Sequence, residues 1–155
     1  MTTLAMYSAK PYDRRSFDAA NVEGRHGEPI EIQYHEARLN RSTVGYAAGV
    51  DVVCAFVNDD LSADVLELLA ASGTTCVALR CAGFNNVDLD AAARLGITVV
   101  RVPAYSPNAV AAHTLALWLA WTRTIHRAHP RGRGRAVSLA GLVGVAMAGE
   151  GAAVI

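Results

Sequence analysis

DVVCAFVNDDLSADVLELLAASGTTCVALRCAGFNNVDLDAAARLGITVVR, residues 51–101, holds three short β-rich runs separated by two helical patterns. Residues 51–57 are almost continuously apolar, as a central parallel strand buried on both faces must be. Ser62 stands where a helix over residues 63–72 needs a cap. Val65, Leu66, Leu68 and Leu69 make that helix's apolar face, and Gly73 supplies a left-handed stop. Residues 75–79 form the next strand. Asp88 then caps a short helix ending at Gly96, and residues 97–101 make a third strand that runs into Pro103. Strands alternating with helices through short connections specify an α/β fold, a parallel sheet with helices on both faces.

Working outward, residues 3–8 add a strand and Pro11 opens a helix, since proline suits a first turn. Residues 29–35 alternate, with Ile30, Ile32 and Tyr34 on one side and Glu31 and Gln33 on the other, which predicts a half-exposed edge strand. Toward the other end, Pro107 begins a long helix to about residue 128, carrying Leu115, Trp118 and Leu119 at helical spacing and closed by Pro130. Residues 131–135 (RGRGR) read as a boundary. A run of small and apolar residues follows over 136–155, and its last part, GAAVI (151–155), has the look of a strand beginning.

The 155 residues are 52% apolar, enough for a real core. Fourteen basic and fourteen acidic side chains cancel, so no overall field draws the chain to nucleic acid or an anionic membrane. The arginines between Arg123 and Arg135, with His126 and His129, read as a solvated helix end rather than a phosphate-binding patch. Residues 136–155 carry only the charge of Glu150 but several glycines, and read as linker and strand rather than a membrane tail. Cys54, Cys76 and Cys81 have no metal-ligand spacing and read as reduced core thiols, and no secretory leader precedes the first strand, so a cytoplasmic protein is expected.

Two segments carry candidate chemistry. LRCAGFNNVDLD (residues 79–90) and RVPAYSPNAVAAH (101–113) each join the end of a parallel strand to a helix, so both loops lie on one edge of the sheet. Loops at the carboxyl ends of strands present unpaired backbone N–H groups, and Ala82 and Gly83 have too little side chain to screen theirs from a carboxylate. The alternative is that Gly83 relieves a tight turn while Asn85, Asn86 and Asp88 cap a helix. His113 has no carboxylate neighbour on its helix to orient it, and reads as structural rather than as an acid or base.

Taken together, AFVNDD (55–60), residues 79–111, TIHRA (124–128) and SLAGLVG (138–144) resemble the D-isomer-specific 2-hydroxyacid dehydrogenases, most closely those of fermentative D-lactate type. The resemblance implies a flavodoxin-like substrate domain over residues 1–103, an interdomain hinge and long helix over 104–135, and the start of an NAD-binding Rossmann domain over 136–155. It implies that the Ala82 and Gly83 N–H groups hold a 2-oxo acid's carboxylate, that Tyr105 lines the substrate cleft, that Phe56 forms an aromatic wall, and that Val110 lies near the nicotinamide. Departures from the family pattern cluster after residue 110, at Ala112, Ala136, Val137, Ala148, Glu150 and Gly151.

The family's catalytic arginine, glutamate and histidine have no counterparts in this sequence. Gly149 and Gly151 precede the expected strand instead of following it, so they are not a pyrophosphate-binding turn. The expectation is therefore a chain that ends within the first Rossmann strand, holds a small 2-oxo or 2-hydroxy acid, does not bind NAD stably and catalyses nothing alone. A non-catalytic module binding a small acid or a protein is the alternative. In either case Trp118 and Trp121 of the long helix are expected to be exposed and to promote oligomerisation.

Overall fold

The computed structural model describes residues 1–22, 27–134, 138–151 and 153. The chain divides into two compact units, Met1–Tyr105 and Ser106–Ile155.

In the first unit the elements run β1 (Thr3–Met6), α1 (Pro11–Val22), β2 (Glu31–Tyr34), β3 (Val52–Ala55), α2 (Ala63–Ala71), β4 (Cys76–Leu79), α3 (Leu89–Leu95) and β5 (Thr98–Arg101). The strands form one sheet in the order β2-β1-β3-β4-β5, every neighbouring pair parallel. This is the order of flavodoxin-like sheets. Register places Leu4 between Ile32 and Val52, and Ala78 between Cys54 and Val100. The apolar run at 51–57 thus supplies the central strand, and the alternating run at 29–35 supplies a half-exposed edge.

Because side chains alternate along a strand, β1 and β3 feed two separate cores. Ala5, Tyr7, Val53 and Ala55 point with Val77 and Leu79 toward Val65, Leu66 and Leu69 of α2 and Ala91 and Ala92 of α3. Leu4, Met6 and Cys54 point to the other face, where Phe17 of α1 covers them beside Ile32 and Tyr34. The second face is covered unevenly. Toward β5 its apolar residues lie open, with Val100 47% exposed.

Two of the expected caps behave differently. Asp88 accepts a hydrogen bond from the Ala91 N–H at 2.8 Å, and Gly96 closes α3 in the left-handed region at φ 69°. Ser62 occupies the cap position of α2 but its hydroxyl makes no capping bond. Its N–H is instead held by Asp60 Oδ1 at 2.9 Å.

In the second unit the expected helix over 107–128 is two helices, α4 (Pro107–Thr122) and α5 (Ile125–Arg133), and Pro130 lies inside α5 rather than ending it. The break is held by a segment about twenty residues further on. Thr124 is left-handed at φ 49°, the Val145 N–H donates to the Thr122 carbonyl at 2.8 Å, and the Thr124 hydroxyl donates to the Leu142 carbonyl at 3.1 Å. Gly144 permits this approach, for a Cβ there would sit 2.6 Å from the Thr122 carbonyl oxygen. Trp121 is 71% exposed, as expected, whereas Trp118 is half-buried. The strand expected over 151–155 and the boundary at 135/136 lie largely outside the described residues. Gly151 and Ala153 belong to neither a helix nor a strand.

Candidate functional site

The carboxyl ends of β1, β3, β4 and β5 form one edge of the first unit, and the loops on that edge are tied together by side chains. Asp59, 1% exposed, accepts from the Ser8 hydroxyl at 2.7 Å, the Leu39 N–H at 2.9 Å and the Phe56 N–H at 2.6 Å. One carboxylate therefore fixes the chain after β1, the segment after β2 and the turn after β3. Asn86 donates from Nδ2 to the carbonyls of Phe56 at 3.2 Å and Asp59 at 2.9 Å, hooking the loop after β4 to the loop after β3. It bridges loops, and only Asp88 of the three polar residues named in that segment caps α3.

Within this frame the segment after β4 turns its carbonyls to the protein. The Cys81 carbonyl accepts from the Val102 N–H at 3.3 Å, the Ala82 carbonyl from Arg101 Nη1 at 2.8 Å, and the Gly83 carbonyl from the Cys81 thiol at 3.2 Å. Among the described residues the N–H groups of Ala82 and Gly83 have no protein acceptor. Gly83 is exposed, its φ lies outside the left-handed region, and a Cβ on it would meet nothing within 4 Å. The fold of this chain does not demand glycine there. Two adjacent donors beside open space are what a small carboxylate needs.

Phe56 is half-buried. One part packs on the core under α2, and the Arg80 guanidinium carbon lies 5.0 Å from its ring centroid. Tyr105 is 58% exposed and shares the edge, yet the recess it lines is a different one. That trough, about 520 Å³ between α1 and the sheet, is bounded by Phe17, Cys54, Ala78, Arg80, Val100 and Tyr105, and by none of Phe56, Ala82 and Gly83. Val110 and His113 are exposed on α4 of the second unit.

Burial pushes the Cys54 thiol up to about 12, with Arg80 opposing the rise, and it raises the Cys76 and Cys81 thiols as well. None of the three is activated as a nucleophile. Among the described residues no group of three His, Cys, Asp or Glu side chains is arranged to hold a metal, and no helix is long and apolar enough to cross a membrane.

The profile of the D-isomer specific 2-hydroxyacid dehydrogenase catalytic domain matches residues 4–151. The chain belongs to that family. A 2-hydroxyacid dehydrogenase homolog of Schizosaccharomyces pombe is 53% identical over 141 residues, which are 91% of this chain and 41% of the relative. The apo-structure of D-lactate dehydrogenase from Escherichia coli superposes with a TM-score of 0.80 at 46% identity, over 94% of this chain and 45% of that one. A D-lactate dehydrogenase from Aquifex aeolicus, solved with NAD and lactic acid, has the same fold at 21% identity and a TM-score of 0.73, over 93% of this chain and 41% of that one. The chain thus spans less than half the length of the family members it matches.

Sequence reading missed Asp59 and Arg80 and offered Asn86 only as a possible helix cap. Each acts through partners distant in sequence, and the only local signal was a polar residue placed in or beside an apolar run.

Proposed function

We propose that this chain supplies the substrate-holding part of an NAD-dependent D-2-hydroxyacid dehydrogenase of D-lactate type, the enzyme that interconverts a 2-oxo acid such as pyruvate and its 2-hydroxy acid. The observation that carries the reading is the pair of unpartnered N–H groups at Ala82 and Gly83, set beside open space on the carboxyl edge of a parallel sheet. They would donate hydrogen bonds to the acid's carboxylate. Phe56 would stand as an aromatic wall on the same edge, Tyr105 would border the cleft, and Val110 would serve the nicotinamide side.

The residues present do not fit the dinucleotide itself. Among the described residues no glycine-rich turn follows a strand and opens a helix, and Gly149, at φ 85°, lies in an isolated turn. The chain alone is accordingly expected to hold the acid without oxidising NADH.

The test is titration of the ¹⁵N-labelled chain with oxamate, an unreactive analogue of pyruvate. Saturable shifts of the Ala82 and Gly83 amide signals are expected. Signals that stay fixed at millimolar oxamate would remove the carboxylate cradle from the reading. Turnover of NADH with pyruvate above background would remove the expectation of inactivity.

A further inference from the structure

Arg80 is the first residue after β4, two positions before Ala82, and its side chain is 9% exposed. From there it reaches three other elements. Nη1 pairs with Asp13 Oδ2 in the first turn of α1 at 2.8 Å. Nη2 donates to the Tyr7 carbonyl at 2.8 Å and the Ser8 carbonyl at 3.4 Å, both just past β1. The guanidinium also covers the Phe56 ring after β3. Asp13 is itself anchored, because the same Oδ2 accepts the Lys10 N–H at 2.9 Å, the reciprocal half of a helix capping box.

Such an arrangement is a poor source of stability. Desolvating two charges offsets most of their attraction, and the Arg80 Nε is buried with no hydrogen-bond partner. Its value lies in geometry. A planar fork holds several acceptors in fixed directions at once, which an ammonium group cannot do. The backbone at Ser8 agrees, since this residue is in the left-handed region at φ 53°, a conformation that persists only where surrounding contacts over-determine it. Ser8 is held by Asp59 through its hydroxyl and by Arg80 through its carbonyl.

We infer that Arg80 is a positioning residue for the substrate site: pinned by Asp13, it fixes the direction in which β4 delivers the Ala82 and Gly83 N–H groups, and it sets the Phe56 ring. The inference rests on the reading of Ala82 and Gly83 as a carboxylate cradle, and adds to it what aims the cradle.

The experiment compares amide spectra of the 155-residue chain, Arg80→Lys and Val65→Ala. Lysine keeps the charge opposite Asp13 but loses the fork and the stack on Phe56. Val65, 1% exposed in α2, is a control whose loss destabilises the core under α2 and removes none of the Arg80 contacts. Arg80→Lys is expected to displace the ligand-free Ala82 and Gly83 signals and to raise the half-saturating oxamate concentration about tenfold as the two N–H groups lose their common aim. Val65→Ala, with an equal or larger fall in melting temperature, is expected to change neither. Cradle signals unmoved in Arg80→Lys, or moved as far by Val65→Ala, would overturn the role. If the parent chain ignores oxamate, the cradle reading fails, and the ligand-free signals still decide whether Arg80 sets the loop. Should Arg80→Lys not fold, Asp13→Asn releases the same anchor and is read in the same way.

Discussion

A carboxylate cradle made of main-chain N–H groups leaves no side chain to delete, so Gly83 is the residue at which it is best tested. A methyl group at Gly83 meets nothing within 4 Å and the backbone there is accessible to any L-residue. Gly83→Ala is expected to leave the stability unchanged or raise it slightly, by up to about 1 kcal/mol through the unfolded state. If the acid lies against the two N–H groups, the methyl group would crowd it, so weaker oxamate binding with unchanged stability is the expected pair of results. A fall in stability would instead mark Gly83 as a turn residue. Cys54 offers a second residue-scale measurement. Its thiol is raised from 9.0 to about 12, so the folded state favours the protonated form more than the unfolded state does. The stabilisation is therefore complete below pH 9 and is lost as pH climbs toward 12. Melting curves between pH 8 and pH 10.5 are expected to fall more steeply for the parent than for Cys54→Ala, and iodoacetamide at pH 8 is expected to spare Cys54. Tyr7, also raised to about 12 by burial, acts in the same direction in both proteins and drops out of that comparison.

Among the elements, what the sequence made legible was whatever local chemistry controls. The βα alternation, the buried central run and the half-exposed edge follow from burial and period alone, and so does Asp88, whose carboxylate reaches its own helix. Ser62 carries the same signal but fails as a cap because Asp60 already fixes the turn before it. The break between α4 and α5 was invisible for a comparable reason. Threonine rarely adopts the left-handed region, and what holds Thr124 there is a segment about twenty residues further on that passes close only because Gly144 has no side chain. Gly144→Ala is accordingly expected to push residues 142–145 off the helix ends and to cost about 1–3 kcal/mol, the usual penalty of overpacking. Circular dichroism during thermal unfolding measures it, and a variant as stable as the parent would show that the contact does not hold the break.

For the whole molecule, the candidate site was half legible. Ala82, Gly83, Phe56 and Tyr105 could be named as candidates because loops at strand ends and a family resemblance point to them, whereas Arg80, Asp13 and Asp59 have meaning only once β1, β3 and β4 lie side by side. The second unit raises the question the sequence left open. No charged residue occurs in α4, and Leu115, Leu117, Leu119 and Trp121 are 51%, 58%, 43% and 71% exposed. Spaced two apart, these residues fall on opposite sides of the helix, so no single polar face remains to turn toward solvent. Exposed apolar surface of this extent is characteristic of an interface rather than of a free monomer surface. The chain is expected to self-associate through α4, with a weight-average mass in sedimentation equilibrium that rises with concentration. Leu117→Lys together with Trp121→Lys would then return the mass toward 16.3 kDa while leaving the amide signals of the first unit in place. A parent chain that stays at monomer mass up to high concentration would mean that α4 covers its own apolar surface in solution.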